Sequence, residues 1–155
     1  MLERPSILIV DDDEDIRTVF KLNLERVGYF VETAERGKEA IEKSKERHFN
    51  LALIDIKLPD MEGTQLLKTL GESFPNMIRI VVTGYPTLKN AIECLNEGAD
   101  GYVLKPVDMD KVLKMIEERL KRQREELRYT ERKVEEFIEA RARELESLMK
   151  YHKPI

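Results

Sequence analysis

Four apolar runs in the sequence end on side chains able to do chemistry. Asp11, Asp12 and Asp13 follow "SILIV", Asp55 closes "LALID", Thr83 and Gly84 follow "IRIVV", and Lys105 and Pro106 follow "GYVL". One aspartate after a strand is ordinary, because it can cap a helix and suits its positive end. Three side by side are not, since two like charges about 4 Å apart repel by roughly 1 kcal/mol even in water. Such a cluster needs a compensating cation or full solvation. Carboxylates from two strands would make a hard oxygen site suited to a magnesium ion that keeps several waters and a place for a phosphate oxygen. A hydroxyl and an ammonium opposite them could hold the remaining phosphoryl oxygens.

That chemistry requires the four places to share one edge, and the periodicity of the chain predicts that they do. "SILIV" reads as a buried strand, and "EDIRTVFKLNLERVG" as a helix with Ile16, Val19, Phe20, Leu24 and Val27 at helical spacing, stopped by Gly28. "YFVETA" is a strand, "GKEAIEKSKERH" a helix, "LALID" a strand and "TQLLKTLGES" a helix. "IRIVVT", "TLKNAIECLNEG" and "GYVLK" follow as strand, helix and strand, before a long final helix from about Asp108. Runs such as "ILIV" and "LALI" lack the alternation of a half-exposed antiparallel sheet, so they belong to parallel strands covered on both faces. The fold class is a doubly wound α/β sandwich, whose ligands bind at the carboxyl ends of the strands.

With "ILIVDDDEDIR", "LALIDIKLPDMEG", "VVTGYP" and "GADGYVLKPVD" in this order and spacing, the chain resembles the response-regulator receiver domains of two-component signalling, over Pro5 to about Leu120. The resemblance implies a flavodoxin-like (CheY-like) five-stranded parallel sheet of order 2-1-3-4-5. It implies Asp55 as phosphoacceptor, and Mg2+, with Mn2+ as a substitute, bound by Asp12, Asp55 and the Lys57 backbone carbonyl, with Asp11 acting mainly through water. Thr83, Gly84 and Lys105 would bind the phosphoryl group, Thr83 and Tyr102 would form the switch, and Lys57 and Tyr85 would tune dephosphorylation. Asp13 falls at a variable position of the family and reads, with Glu14 and Asp15, as helix-start chemistry. The implied donor is a sensor histidine kinase. The domain would be no enzyme beyond its own phosphorylation and dephosphorylation.

Composition narrows the rest. A chain of 155 residues, 41% hydrophobic, buries one core. A net charge of -4 without a long basic cluster argues against a nucleic-acid surface. No apolar stretch reaches the ~20 residues of a membrane span and no signal peptide is visible, so a cytoplasmic protein is expected. Cys94, the single cysteine, reads as core, and His48 and His152 as surface. From Asp108 to Tyr151 no glycine or proline interrupts the helix, which at 1.5 Å per residue is roughly 60 Å long. A globule of the preceding size is about 35 Å across, so the helix should overhang. The expected division is a receiver over 1–120 and an extended helix over 121–155. Leu120, Leu127, Val134, Ile138, Leu145 and Met149 form an imperfect heptad stripe, with polar Gln123 and Thr130 between, which suggests a homodimeric coiled coil. Alternatives are a receiver and linker within a larger regulator or hybrid kinase, and, disfavoured by the loop "IKLPDMEG", a magnesium-dependent phosphohydrolase.

Overall fold

A computed structural model describes residues 4–151. The apolar runs become strands β1 (Ser6–Val10), β2 (Phe30–Ala34), β3 (Leu51–Asp55), β4 (Ile78–Thr83) and β5 (Gly101–Leu104). All pair in parallel, in the order β2-β1-β3-β4-β5. The connecting helices are α1 (Glu14–Val27), α2 (Gly37–Glu46), α3 (Gly63–Ser73) and α4 (Leu88–Asn96), and α5 (Met109–Tyr151) follows β5. Element order and strand order are those expected from the sequence.

Side-chain alternation along each strand divides the core into two layers. Ile7 and Ile9 of β1 join Leu51, Leu53, Ile80 and Val82, covered by Phe20 and Leu24 of α1 and by Val112, Ile116 and Leu120 of α5. Leu8 and Val10 point the other way, with Ala52, Ile54 and Val81, under Ala40, Leu66, Leu67, Leu70 and Cys94 of α2, α3 and α4. Each fully buried leucine or isoleucine contributes about 1.5–3 kcal/mol, so both faces of the central strands β1 and β3 are sealed, and every residue of these two strands is buried. Cys94 is buried in the second layer, and His48 is exposed. His152 lies outside the described residues.

The structure corrects the sequence reading at several points. In α1, Phe20 and Leu24 are buried and Ile16 packs beside them, whereas Val19 and Val27 are half exposed. The covering stripe runs at i, i+4, i+8 through Ile16, Phe20 and Leu24; Val19 lies a third of a turn off it, and Val27 is the helix's last residue. Helix α4 starts at Leu88 because Thr87 is its N-cap, accepting a hydrogen bond from the Asn90 amide at 3.0 Å. Leu120, anticipated in an intermolecular seam, is only 4% exposed. It completes the Val112, Ile116, Leu120 row that α5 lays on the sheet, so it has no surface left for a partner.

The chain divides into two compact units, Met1–Leu120 and Lys121–Ile155. In the second, Leu127, Val134, Ile138, Leu145 and Met149 are all exposed, as are Tyr129, Phe137 and Leu148. Among the described residues, no helix is long and apolar enough to cross a membrane.

Candidate functional site at the carboxyl edge of the sheet

Strands β1 and β3 are neighbours in register, Val10 opposite Ile54, so the residues that follow them emerge side by side. Asp11, Asp12 and Asp55 each offer a carboxylate oxygen within 4.8 Å of the others. Asp11 and Asp55 are 3% and 7% exposed, while Asp12 is open to solvent. Asp13 stands apart from this trio. It is the N-cap of α1 and accepts from the amides of Asp15 at 2.9 Å and Ile16 at 3.4 Å. The opening cluster therefore splits into two carboxylates facing the site and one starting a helix.

Lys105 follows β5, with its amide donating to the Thr83 carbonyl at 2.8 Å and a cis peptide bond to Pro106. Its Nζ reaches back across the edge to Asp11 Oδ2 at 2.9 Å and lies 3.6 Å from Asp55 Oδ2. Burial alone would lower the Lys105 pKa, but the hydrogen bond and charge of Asp11, together with Asp55, outweigh it and raise it. Asp55 moves upward too. Burial is the main cause and the Asp11 charge the second, with Asp12 adding to it; Lys105 and the Lys57 amide oppose them incompletely. One ammonium shared between Asp11 and Asp55, with Asp12 beside them, leaves negative charge uncompensated. That donor set, all oxygen and partly open through Asp12, fits a hard divalent cation.

Thr83 is fully buried, and its hydroxyl oxygen accepts the Tyr85 amide at 3.0 Å. A hydroxyl that accepts there keeps its proton to donate. Gly84 lies next to Lys105: a Cβ built on it would be 3.8 Å from the lysine's Cβ and Cδ. The Lys57 amide donates to Asp55 Oδ1 at 3.4 Å, and Lys57 Nζ sits 4.1 Å from the centre of the Tyr85 ring, itself 61% exposed. The two residues singled out from separate loops thus meet as a cation–π pair. Tyr102, opposite Val81 in the sheet, packs its ring on the second core layer, and its hydroxyl is enclosed with no hydrogen-bond partner among the described residues. The ring is turned inward in this structure.

Sequence reasoning missed Arg17. Its Nη1 donates to the Asp11 carbonyl at 2.8 Å and its Nη2 to Glu35 Oε1 at 3.3 Å, which fixes the backbone of Asp11 from outside the cluster. The available signal was an arginine one turn into the helix after an acidic run, a common surface pattern.

Comparison with known proteins finds a matching family and relatives of the same fold. The family model described as "Response regulator receiver domain" matches residues 7–117. The transcriptional regulatory protein ZraR of Klebsiella oxytoca is 36% identical over 118 residues, which are 76% of this chain and 27% of that protein. A response regulator receiver domain protein (CheY-like) from Methanospirillum hungatei JF-1 superposes with a TM-score of 0.78 at 48% identity, covering 80% of this chain and 99% of that one. A Burkholderia pseudomallei response regulator, solved with a phosphorylated aspartic acid, a calcium ion and citrate, superposes at 0.67 with 29% identity over 70% of this chain and 64% of that one.

Proposed function

The chain belongs to the response regulator receiver domain family, and from that membership we propose that it is a phosphoacceptor switch in which Asp55 takes a phosphoryl group from a phosphohistidine on a sensor kinase. The observation that carries this is the convergence of Asp11, Asp12, Asp55 and Lys105 at one sheet edge. The Burkholderia relative, with its phosphorylated aspartic acid and calcium ion, is consistent with both parts of the reading.

In this reading an Asp55 oxygen forms a bond to phosphorus as the P–N bond to the donor imidazole breaks, the ring nitrogen keeping the electron pair and taking up a proton. Asp55 must be ionised, so the surroundings that raise its pKa have to be offset. Asp12, Asp55 and the Lys57 carbonyl would hold Mg2+, with Asp11 acting through water; the bound cation supplies charge neutralisation for Asp55 and the phosphoryl oxygens. Lys105 contributes a second positive charge, shared with Asp11. The Thr83 hydroxyl and the Gly84 amide would donate to the new phosphoryl oxygens. Their movement would alter the surroundings of Tyr102, which lies in β5 on the core layer that includes Cys94 of α4. Hydrolysis, with water attacking phosphorus and Asp55 leaving as the carboxylate, resets the switch, so catalysis is confined to the protein's own phosphoryl group.

The output would pass through the exposed apolar residues of the Lys121–Ile155 unit to a second copy of the chain, as a coiled coil. A second reading, in which receiver and helix serve a longer regulator, is favoured by the span of the curated relatives: this chain covers only about a quarter of ZraR or of the NtrC of Proteus hauseri. The central test is chemical. Asp55→Asn should abolish labelling by acetyl phosphate with Mg2+, as read by intact-protein mass, and undiminished incorporation would remove Asp55 from the role.

A further inference from the structure

The loop between β3 and α3 carries Lys57, and its two ends are set by its own backbone. The Gly63 amide donates to the Ile56 carbonyl at 2.6 Å, and Lys57 pairs antiparallel with Glu62. Its middle is held from elsewhere. Asp60 Oδ1 accepts the Gly37 amide and Oδ2 the Lys38 amide, each at 2.9 Å, across more than twenty residues of sequence. These are the first two amides of α2, whose own N-cap residue, Arg36, makes no side-chain capping bond. Next to Asp60, Met61 closes against the same helix start, where a Cβ on buried Gly37 would collide with the Met61 side chain. A carboxylate bonded by two amides at the positive end of a helix is a firm tie. The bond from Lys38 above all, helped by those from Gly37 and its own amide and by the Arg36 charge, outweighs the cost of burial and holds the Asp60 carboxyl below its usual range.

We propose that Asp60 is a positioning residue, one that fastens the β3–α3 loop to the start of α2 and thereby holds the Lys57 carbonyl ready for the cation. This rests on the metal reading given above. A loop ordered in advance spares the incoming ion the entropy of ordering it, and groups that orient ligands without touching the metal commonly set affinity by about 10–100-fold.

The alternative is that Asp60 merely caps α2, and the two are separable. Asp60→Ala cuts the tie and also uncaps the helix. Arg36→Asp in the same chain returns a carboxylate at the helix's own N-cap position, where it can accept from the Lys38 or Glu39 amide, while leaving the loop unfastened. We expect the double variant to regain the melting temperature lost in Asp60→Ala. Its Mg2+ dissociation constant, measured by calorimetry against Arg36→Asp alone, should stay about tenfold weaker, and its amides over 57–62 should exchange faster than in the wild type. Asp60→Asn, with one acceptor oxygen, should fall between. Affinity that returns together with the melting temperature makes Asp60 a cap only and overturns the proposal, as does unchanged loop exchange. A wild-type protein that takes up no Mg2+ marks failure of the metal reading itself, and the positioning role falls with it.

Discussion

At the scale of single residues, the three adjacent aspartates show how one residue type is divided among roles by geometry. Asp11 is buried against Lys105, Asp12 faces solvent within reach of Asp55, and Asp13 caps α1. Asp12→Ala should therefore weaken Mg2+ binding far more than Asp13→Ala does, while Asp13→Ala should cost about 1 kcal/mol of stability through the lost cap; calorimetry and thermal melts on both variants read the two effects, and equal metal affinities would mean the wrong aspartate has been assigned. The Asp55 carboxyl is raised by burial first and by Asp11 second. Its ionised form thus lowers stability at pH above its titration, and that cost is relieved as the pH falls through the raised pKa. Mg2+ affinity should therefore fade with acid over a range above the ~3.9 of a free aspartate, because protons compete for the ligand, and labelling at sub-saturating Mg2+, which needs the ionised form, should fade with it. Carboxyl-carbon NMR should find Asp55 higher still in Lys105→Met and lower in Asp11→Asn. An Asp55 that titrates at the free value would contradict the burial argument.

At the scale of elements, the loops after β3 and β4, whose amides bond Asp55 and Thr83, are joined by Lys57 and Tyr85. A cation–π contact at an exposed position is worth about 0.5–1 kcal/mol, enough to bias but not to lock the mouth. If the pair obstructs the in-line path of water to phosphorylated Asp55, Tyr85→Ala should speed dephosphorylation by roughly two- to fivefold, the rate equivalent of that energy. Tyr85→Phe, which keeps the ring face, should leave the rate near that of the wild type. Loss of phosphate followed in a quench series decides this, and an unchanged rate in Tyr85→Ala discards shielding by the ring. The enclosed Tyr102 ring belongs to the same scale. Its position on the second core layer means that a switch at this residue has to begin from an inward state.

For the whole molecule, the outstanding feature is the row of exposed Leu127, Val134, Ile138, Leu145 and Met149 in the Lys121–Ile155 unit. A helix stripe of this kind is covered by a second copy of itself in a two-stranded coil. Without Leu120, which is spent on the receiver core, such a seam would start at Leu127. Thr130 falls between Leu127 and Val134, and exposed Phe137 lies beside Ile138, so the proposed seam would be short and imperfect and the dimer should be modest. Sedimentation of the full chain should show a concentration-dependent dimer at tens of micromolar, altered by a phosphoryl mimic, and a version ending at Leu120 should stay monomeric. Two monomers under both conditions would reduce the helix to a spacer.

Periodicity alone was enough for the parallel α/β layers, because strands sealed on both faces have to be continuously apolar and their helices have to repeat every three to four residues. The candidate site residues were legible for a related reason. In such a sheet the residue after each strand has one place to go, the carboxyl edge, so Asp12, Asp55, Thr83 and Lys105 could be named before any distance was known. What the chain did not disclose depends on contacts between residues far apart in sequence. Whether Lys105 pairs more closely with Asp11 or with Asp55, the Arg17 bond to the Asp11 backbone and the inward Tyr102 ring follow from how the strand ends and helices are set against one another. Asp60 is the clearest case: its partners are amides more than twenty residues upstream, and a backbone amide bears no mark in sequence of who will accept from it.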